Sequence, residues 1–202
     1  MIAWARRFGF GQPTGVDLSH ESAGELPDPK ASDDPKVSDD PKKRPWAASD
    51  TMSLAVGQGT LRVTPLQVAR LVAAVANGGR LVTPHLVDRI RRRDKPDIVP
   101  ERPETPTVAL SDDTLAAVRR GMVDAVATPG GTAYATVFHA TVSIAGKTGT
   151  AQTGKNLADH AWFAGYVPVE DPKYALVVVL EHSGNGGEAA GPVAQHLIEA
   201  LS

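Results

Sequence analysis

Lys147 stands within Ser143-Ile-Ala-Gly-Lys-Thr-Gly-Thr-Ala-Gln-Thr153, between Gly146 and Gly149 and followed by the hydroxyl residues Thr148 and Thr150. Two glycines let a ligand approach the backbone closely, the hydroxyls can donate to an anion, and the lysine places a positive charge behind them. The chemistry suited to such a set is recognition of a negatively charged group at a strand. Nothing else in the 202 residues combines these properties.

Other chemistries fail on spacing. Gly146-Lys147-Thr148 invites a phosphate-loop reading, but that motif needs a glycine where Thr141 stands and a helix where Gly-Thr-Ala-Gln-Thr-Gly follows. The six histidines (His20, His85, His139, His160, His182, His196) show no metal-ligand spacing, and no Gly-x-Ser-x-Gly elbow occurs, so neither a metal site nor an ordinary hydrolase triad is expected. With no cysteine there is no thiol chemistry and no disulfide. A formal net charge of -2, from 21 Lys+Arg against 23 Asp+Glu, supplies no basic field for nucleic acid. The run Arg89, Arg91, Arg92, Arg93 reads as a solvated strand end. No cofactor is implied.

The elements that must position Lys147 follow from pattern. Thr141–Thr153, about His160–Val167 and about Tyr174–Glu181 read as three strands with links short enough for antiparallel hairpins. Ala175–Leu180 is apolar at every position, the mark of a strand covered on both faces and central in its sheet. Trp162 and Phe163 are expected in the core. Thr64 as N-cap, Pro65 at the first helical position, Gln67 closing a capping box and Asn77-Gly78-Gly79 as a stop predict a helix, with Leu66, Ala69, Val72, Ala73 and Ala76 on its packing face. A second helix is predicted from a Ser111 cap to Pro129-Gly130-Gly131, burying Leu115, Val118, Met122 and Val126. A third opens at Gly191-Pro192 and presents Val193, Leu197, Ile198 and Leu201. Leu81–Arg91 reads as strand or extended chain and 96–106 as a proline-rich connector. Phe8–Leu18, with three glycines and a proline, predicts a tightly folded loop. Residues 28–43 repeat Asp-Pro-Lys three times and have almost nothing to bury, which predicts a disordered surface insertion. No apolar run reaches the roughly 18 residues of a membrane span, and Met1–Arg7 lacks the order of a signal peptide.

Lys147-Thr-Gly149 resembles the third motif of the penicillin-binding proteins and serine β-lactamases, on the strand that edges their active site. Phe8-Gly-Phe-Gly-Gln-Pro-Thr-Gly-Val-Asp-Leu18, Val56-Gly-Gln-Gly59 with Val63-Thr-Pro-Leu-Gln67, and His160-Ala-Trp-Phe-Ala-Gly-Tyr166 resemble, in order, segments of class B penicillin-binding proteins of the cell-elongation and division type. The resemblance covers nearly the whole chain apart from the Asp-Pro-Lys insertion. It implies an α+β fold of the β-lactamase/transpeptidase type, an antiparallel sheet flanked by helices, with residues 1–202 as the C-terminal part of a transpeptidase domain.

The implied roles fall on matching positions. Lys147 would supply electrostatic attraction and help manage protons at the nucleophile. Thr148 and Thr150 hydroxyls would bind the terminal carboxylate of a D-alanyl-D-alanine stem peptide or of a β-lactam, the Thr150 N–H would be an oxyanion donor, and Gly149 would admit the substrate amide by strand addition. His160 lies near this strand without an assigned role. The family's nucleophile lies in Ser-x-x-Lys, and no lysine here has a serine three residues before it; the residues in that place are Pro27, Asp33, Asp39, Asp40, Arg92, Ile144, Gln152 and Glu170. The second motif, Ser-x-Asn, occurs only as Ser183-Gly-Asn185, on the wrong side of the lysine, and reads as coincidence in a strand-end loop. The N-terminal half of the fold, with the serine, is therefore expected to be absent from this chain. It is expected to be inactive alone, and its partners to be stem peptide or β-lactam together with either a separately supplied N-terminal half or a second copy docked on the bare edge of the Ala175–Leu180 strand. A non-catalytic binding or scaffold module is the alternative. The resemblance places the parent protein at the outer face of the bacterial cytoplasmic membrane, although no anchor or signal is visible in these residues.

Overall fold

The structure, a computed structural model, describes residues 1–29, 46–154 and 156–201. Apart from its first two residues, the expected Asp-Pro-Lys-rich insertion at about 28–43 lies outside the described residues.

Three antiparallel strands form one sheet in the order β1 (Ala145–Ala151), β2 (His160–Val167), β3 (Tyr174–Leu180). The register places Lys147 opposite Ala164, Gly149 opposite Trp162, and Phe163 between Thr148 and Val178. The hairpins are as expected, while β1 is shorter at both ends than Thr141–Thr153. Among the described strands β3 lies at an edge of the sheet, which corrects the central place read from its apolar run and agrees with the bare edge expected without the N-terminal half. Its cover is also uneven: Leu176 and Val178 on one face are buried, while Val177 and Val179 on the other are half-buried and Ala175 is exposed.

One face of the sheet buries Phe163, Val167, Leu176 and Val178 against Val137, Ala190, Ala194 and Ile198. On the other, Ala145 and Tyr166 pack with Val72 and Val75. These layers come from the helices α3 (Pro65–Ala76), α4 (Asp112–Ala127), the short α5 (Tyr134–Val137) and α6 (Gly191–Leu201), with a π-helical turn at Gly186–Ala190 leading into the last; α1 (Ile2–Arg7) and α2 (Ala48–Ala55) add no residue to them. The sequence signals mark none of α1, α2 and α5. Among the described residues no helix is long and apolar enough to cross a membrane.

α3 is as its sequence signals require. Thr64 accepts from Gln67 N at 3.2 Å, and Gln67 Oε1 accepts from Thr64 N at 2.9 Å. Its packing face differs. Val72, Ala74, Val75 and Gln67 are buried, whereas Leu66, Ala69, Ala73 and Ala76 are half-buried. Gln67 turns inward because its Nε2 donates to Gln12 O and Ala23 O, both at 2.8 Å, fastening two loops to the helix start.

α4 carries its Ser111 cap, which accepts from Thr114 N, and buries Leu115 and Val126 with Met122 half-buried. Val118, expected inside, is 45% exposed. The turn facing α3 is filled instead by Arg119, whose guanidinium donates to Val75 O and Ala76 O and so satisfies the final carbonyls of α3. In α6 the buried residues are Gly191, Ala194 and Ile198, while Val193, Leu197 and Leu201 are exposed. Glycine is required at the start of this buried side because Gly191 lies against Thr136 of α5 too closely for a Cβ.

Phe8–Leu18 is the expected tight loop, with positive φ at Gly9, Gly11 and Gly15. Glu21 closes it by accepting from the Thr14 hydroxyl and from the amides of Thr14 and Gly15. Burial acts to raise the Glu21 carboxyl, but these bonds outweigh it and hold the group below the usual carboxylate range. Asp17 accepts from Leu86 N and Val87 N, which anchors the extended 81–91 segment and holds this carboxyl low as well.

Candidate active-site wall

β1 pairs with β2 along one side only, so among the described strands its other edge is open. On that open edge the Lys147 ammonium donates to Thr148 O at 2.8 Å and lies 3.5 Å from both Thr148 Oγ1 and Thr132 Oγ1. Thr148 Oγ1 donates to Thr132 Oγ1 at 3.0 Å. None of the ion pairs among the described residues includes Lys147. An exposed ammonium beside two hydroxyls and no carboxylate has the donors to receive an anion.

The pleat explains how the set is assembled. Thr148 and Thr150 are two residues apart and share one strand face, and Lys147 starts from the other and reaches its own neighbour's carbonyl at the edge. Thr150 O accepts a bond from this edge, so by antiparallel geometry the Thr150 N–H points the same way, outward. The Thr150 hydroxyl accepts from Gly186 N at 3.2 Å and keeps its own hydrogen to donate. Gly149 has only Trp162 Cβ near the place of a side chain, which keeps this stretch of backbone uncovered.

Lys147, Thr148, Gly149 and Thr150, the residues singled out in the sequence, therefore come together with an outward backbone amide. Three others were missed. Thr132 follows the Pro129-Gly130-Gly131 stop, where Gly131 is pressed too closely on Asp124 O and Ala125 O for a Cβ, and its hydroxyl reaches Thr148 of β1. Gly186 fits only because it lacks a side chain, since a Cβ there would overlap Gly149 O and lie 2.6 Å from Trp162 O. Gln58 donates from Nε2 to Thr150 O at 2.9 Å and accepts from Gln152 N at 3.1 Å. Its segment was noticed only as part of a resemblance; a polar residue between two positive-φ glycines was the available signal.

Asn185 of Ser183-Gly-Asn185 accepts from Gly187 N and Glu188 N as the cap of the π-helical turn. Phe163 is fully buried and Trp162 half-buried. His160 sits opposite Ala151, where it accepts from His182 N and meets that ring at a tilt with centroids 4.6 Å apart, away from Lys147. A cavity of about 420 Å³ lies elsewhere, lined among others by Phe138, His139, Ser143 and Glu170, and includes none of the site residues. There the Ser143 hydroxyl donates to the Glu170 carboxylate, which holds that carboxyl below its ordinary range and ties the approach to β1 to the β2–β3 turn. Among the described residues no cluster could hold a metal ion.

Comparison with known proteins follows the same lines. The family described as Penicillin binding protein transpeptidase domain matches residues 1–199. Peptidoglycan D,D-transpeptidase MrdA of Haemophilus influenzae is 34% identical over 97% of this chain and 31% of its own length. Among solved structures, PBP2 of Pseudomonas aeruginosa in complex with WCK 5153 superposes with a TM-score of 0.82 at 31% identity, covering 99% of this chain and 41% of that one. PBP2 of Helicobacter pylori in its complex with MreC gives 0.75 at 31% identity, over 100% of this chain and 36% of that one. The chain thus spans about a third of the length of the curated relatives it matches. The antiparallel sheet and its helices have the transpeptidase-type architecture of these neighbours.

Proposed function

This chain belongs to the penicillin-binding protein transpeptidase family, and from that premise we propose that β1, with Thr132, forms the carboxylate-binding and oxyanion wall of a peptidoglycan D,D-transpeptidase. The observation that carries the proposal is the Lys147 ammonium at an open strand edge, beside two hydroxyls and without a carboxylate partner.

In this reading the terminal carboxylate of a D-alanyl-D-alanine stem peptide, or the carboxylate of a β-lactam, lies against Lys147 and accepts from the Thr148 and Thr150 hydroxyls. The scissile carbonyl oxygen then meets the Thr150 N–H. A serine oxygen attacks that carbonyl, the terminal D-alanine leaves with the proton, and the resulting ester is passed to an amine of a neighbouring strand. Lys147 and the Thr150 N–H stabilise the charge that develops on oxygen. Loss of a single such donor costs about 3 to 4 kcal/mol of transition-state stabilisation where it has been measured.

No Ser-x-x-Lys occurs in these 202 residues, so the attacking serine is assigned to sequence outside them. The same fact favours a second reading, a module that binds stem peptide or β-lactam without acylation, or serves as a scaffold. Assembly with protein partners at the bacterial cell envelope is part of the proposal, in line with the neighbour solved together with MreC. The unpaired edge of β3 is the place for further strands or a second copy.

Fluorescent penicillin followed by a denaturing gel tests the assignment of the serine. The 202-residue chain gives no covalent band; a band would put a nucleophile inside these residues and overturn it.

A further inference from the structure

Gln58 holds a position on β1 that a ligand backbone would need. One carboxamide spans Thr150 O and Gln152 N, the carbonyl of one residue and the amide two residues on. This is the pair of bonds that the N–H and C=O of one residue in a parallel neighbour make to a strand edge. The side chain thereby acts as one residue of a missing strand, brought in from 92 positions away. The loop that carries it has room to move. An added Cβ at Gly57 would meet nothing within 4 Å, one at Gly59 only Ser53 Cβ at 3.3 Å, and both bonds to β1 are at the surface.

We propose that Gln58 is a displaceable stand-in for substrate backbone, a specificity-determining residue that makes the wall respond differently to a carboxylate alone and to a carboxylate carried on a peptide. This rests on the carboxylate-binding reading of Lys147, Thr148 and Thr132. A small anion bound there has no reason to disturb Thr150 O or Gln152 N. A peptide whose terminal carboxylate is bound there and whose chain runs along the edge toward Ala151 lies antiparallel to β1 and meets both groups, and an N–H and a C=O from two of its residues replace the carboxamide of Gln58. In the unliganded protein the same side chain keeps part of an open edge from pairing with other strands.

The test uses the 202-residue protein labelled with nitrogen-15 and two probes: propionate, a carboxylate with no amide, and Nα,Nε-diacetyl-L-lysyl-D-alanyl-D-alanine. Both probes shift the Thr148 and Thr150 amides. Only the peptide moves the Gln58 side-chain NH₂ resonances toward those of a solvated glutamine. Gln58→Ala binds the peptide about fivefold more tightly, the return from one net hydrogen bond no longer broken, and binds propionate as before. Peptide binding that leaves the Gln58 resonances in place overturns the proposal in the unaltered protein, whatever the variant does. Unchanged or weaker peptide binding by a folded Gln58→Ala overturns it too. If propionate binds and the peptide leaves Gln58 in place, this proposal alone falls. If neither probe shifts Thr148 or Thr150, the carboxylate reading fails and takes this one with it.

Discussion

Replacing Gln67 by alanine should be among the most damaging single substitutions in the chain. The side chain is 1% exposed and makes three hydrogen bonds through its carboxamide, to Gln12 O and Ala23 O at 2.8 Å and from Thr64 N at 2.9 Å. Truncation strands two carbonyls and one N–H belonging to three different segments and leaves a void at the start of α3. Each stranded group costs about 1 kcal/mol or more, and the void adds to this, giving a loss of about 3 to 5 kcal/mol. For a protein of this length roughly 2 to 4 °C per kcal/mol predicts a melting point lower by about 6 to 20 °C. Gln67→Met separates the causes, since it fills the volume and makes none of the bonds; it should recover less than half of the loss. Thermal melting and urea denaturation of the three proteins measure both quantities. A Gln67→Ala protein within about 1 kcal/mol of the parent, or a Gln67→Met protein equal to it, would refute the claim that these bonds hold the two loops to α3.

Gly186→Ala should cost about 1 to 3 kcal/mol, because the new Cβ overlaps backbone oxygens of β1 and β2 that cannot rotate away, and amide spectra should show Thr150 moving as its bond from Gly186 N breaks. Arg119→Met should destabilise by uncovering Val75 O and Ala76 O, and native-state hydrogen exchange should rise most in the last turn of α3. The Glu21 carboxyl is held low in the folded chain, so its stabilising effect is fully present above the ordinary carboxylate range and is lost as pH falls through the lower folded value. Melting curves of the parent and of Glu21→Gln should therefore differ most near pH 7 and converge toward pH 3; a constant difference would show that the charge of Glu21 plays no part.

Local signals in the sequence were sufficient where a single segment determines the outcome. Thr64, Pro65, Gln67 and Asn77 mark both ends of α3, and the apolar runs with their short links place all three strands to within a few residues. The facing of helices was less legible. An apolar stripe shows that a side can be buried, but Val118 yields its place to Arg119, whose stem packs while its head satisfies carbonyls, and in α6 the close side belongs to Gly191 and Ala194 in place of Val193, Leu197 and Leu201. The same divide runs through the candidate site. Lys147 to Thr150 were legible because one strand carries them. Thr132, Gln58 and Gly186 were not, because they reach β1 from other segments and their types are ordinary in loops.

The claim that the β1 edge is an anion-binding wall is tested most directly by titrating propionate into the nitrogen-15-labelled protein and into Lys147→Met while following the Thr148 and Thr150 amides. Removal of a charge-assisted contact predicts saturable shifts in the parent and at least tenfold weaker binding in the variant. Equal binding by the two proteins, or shifts that spare Thr148 and Thr150, would contradict it.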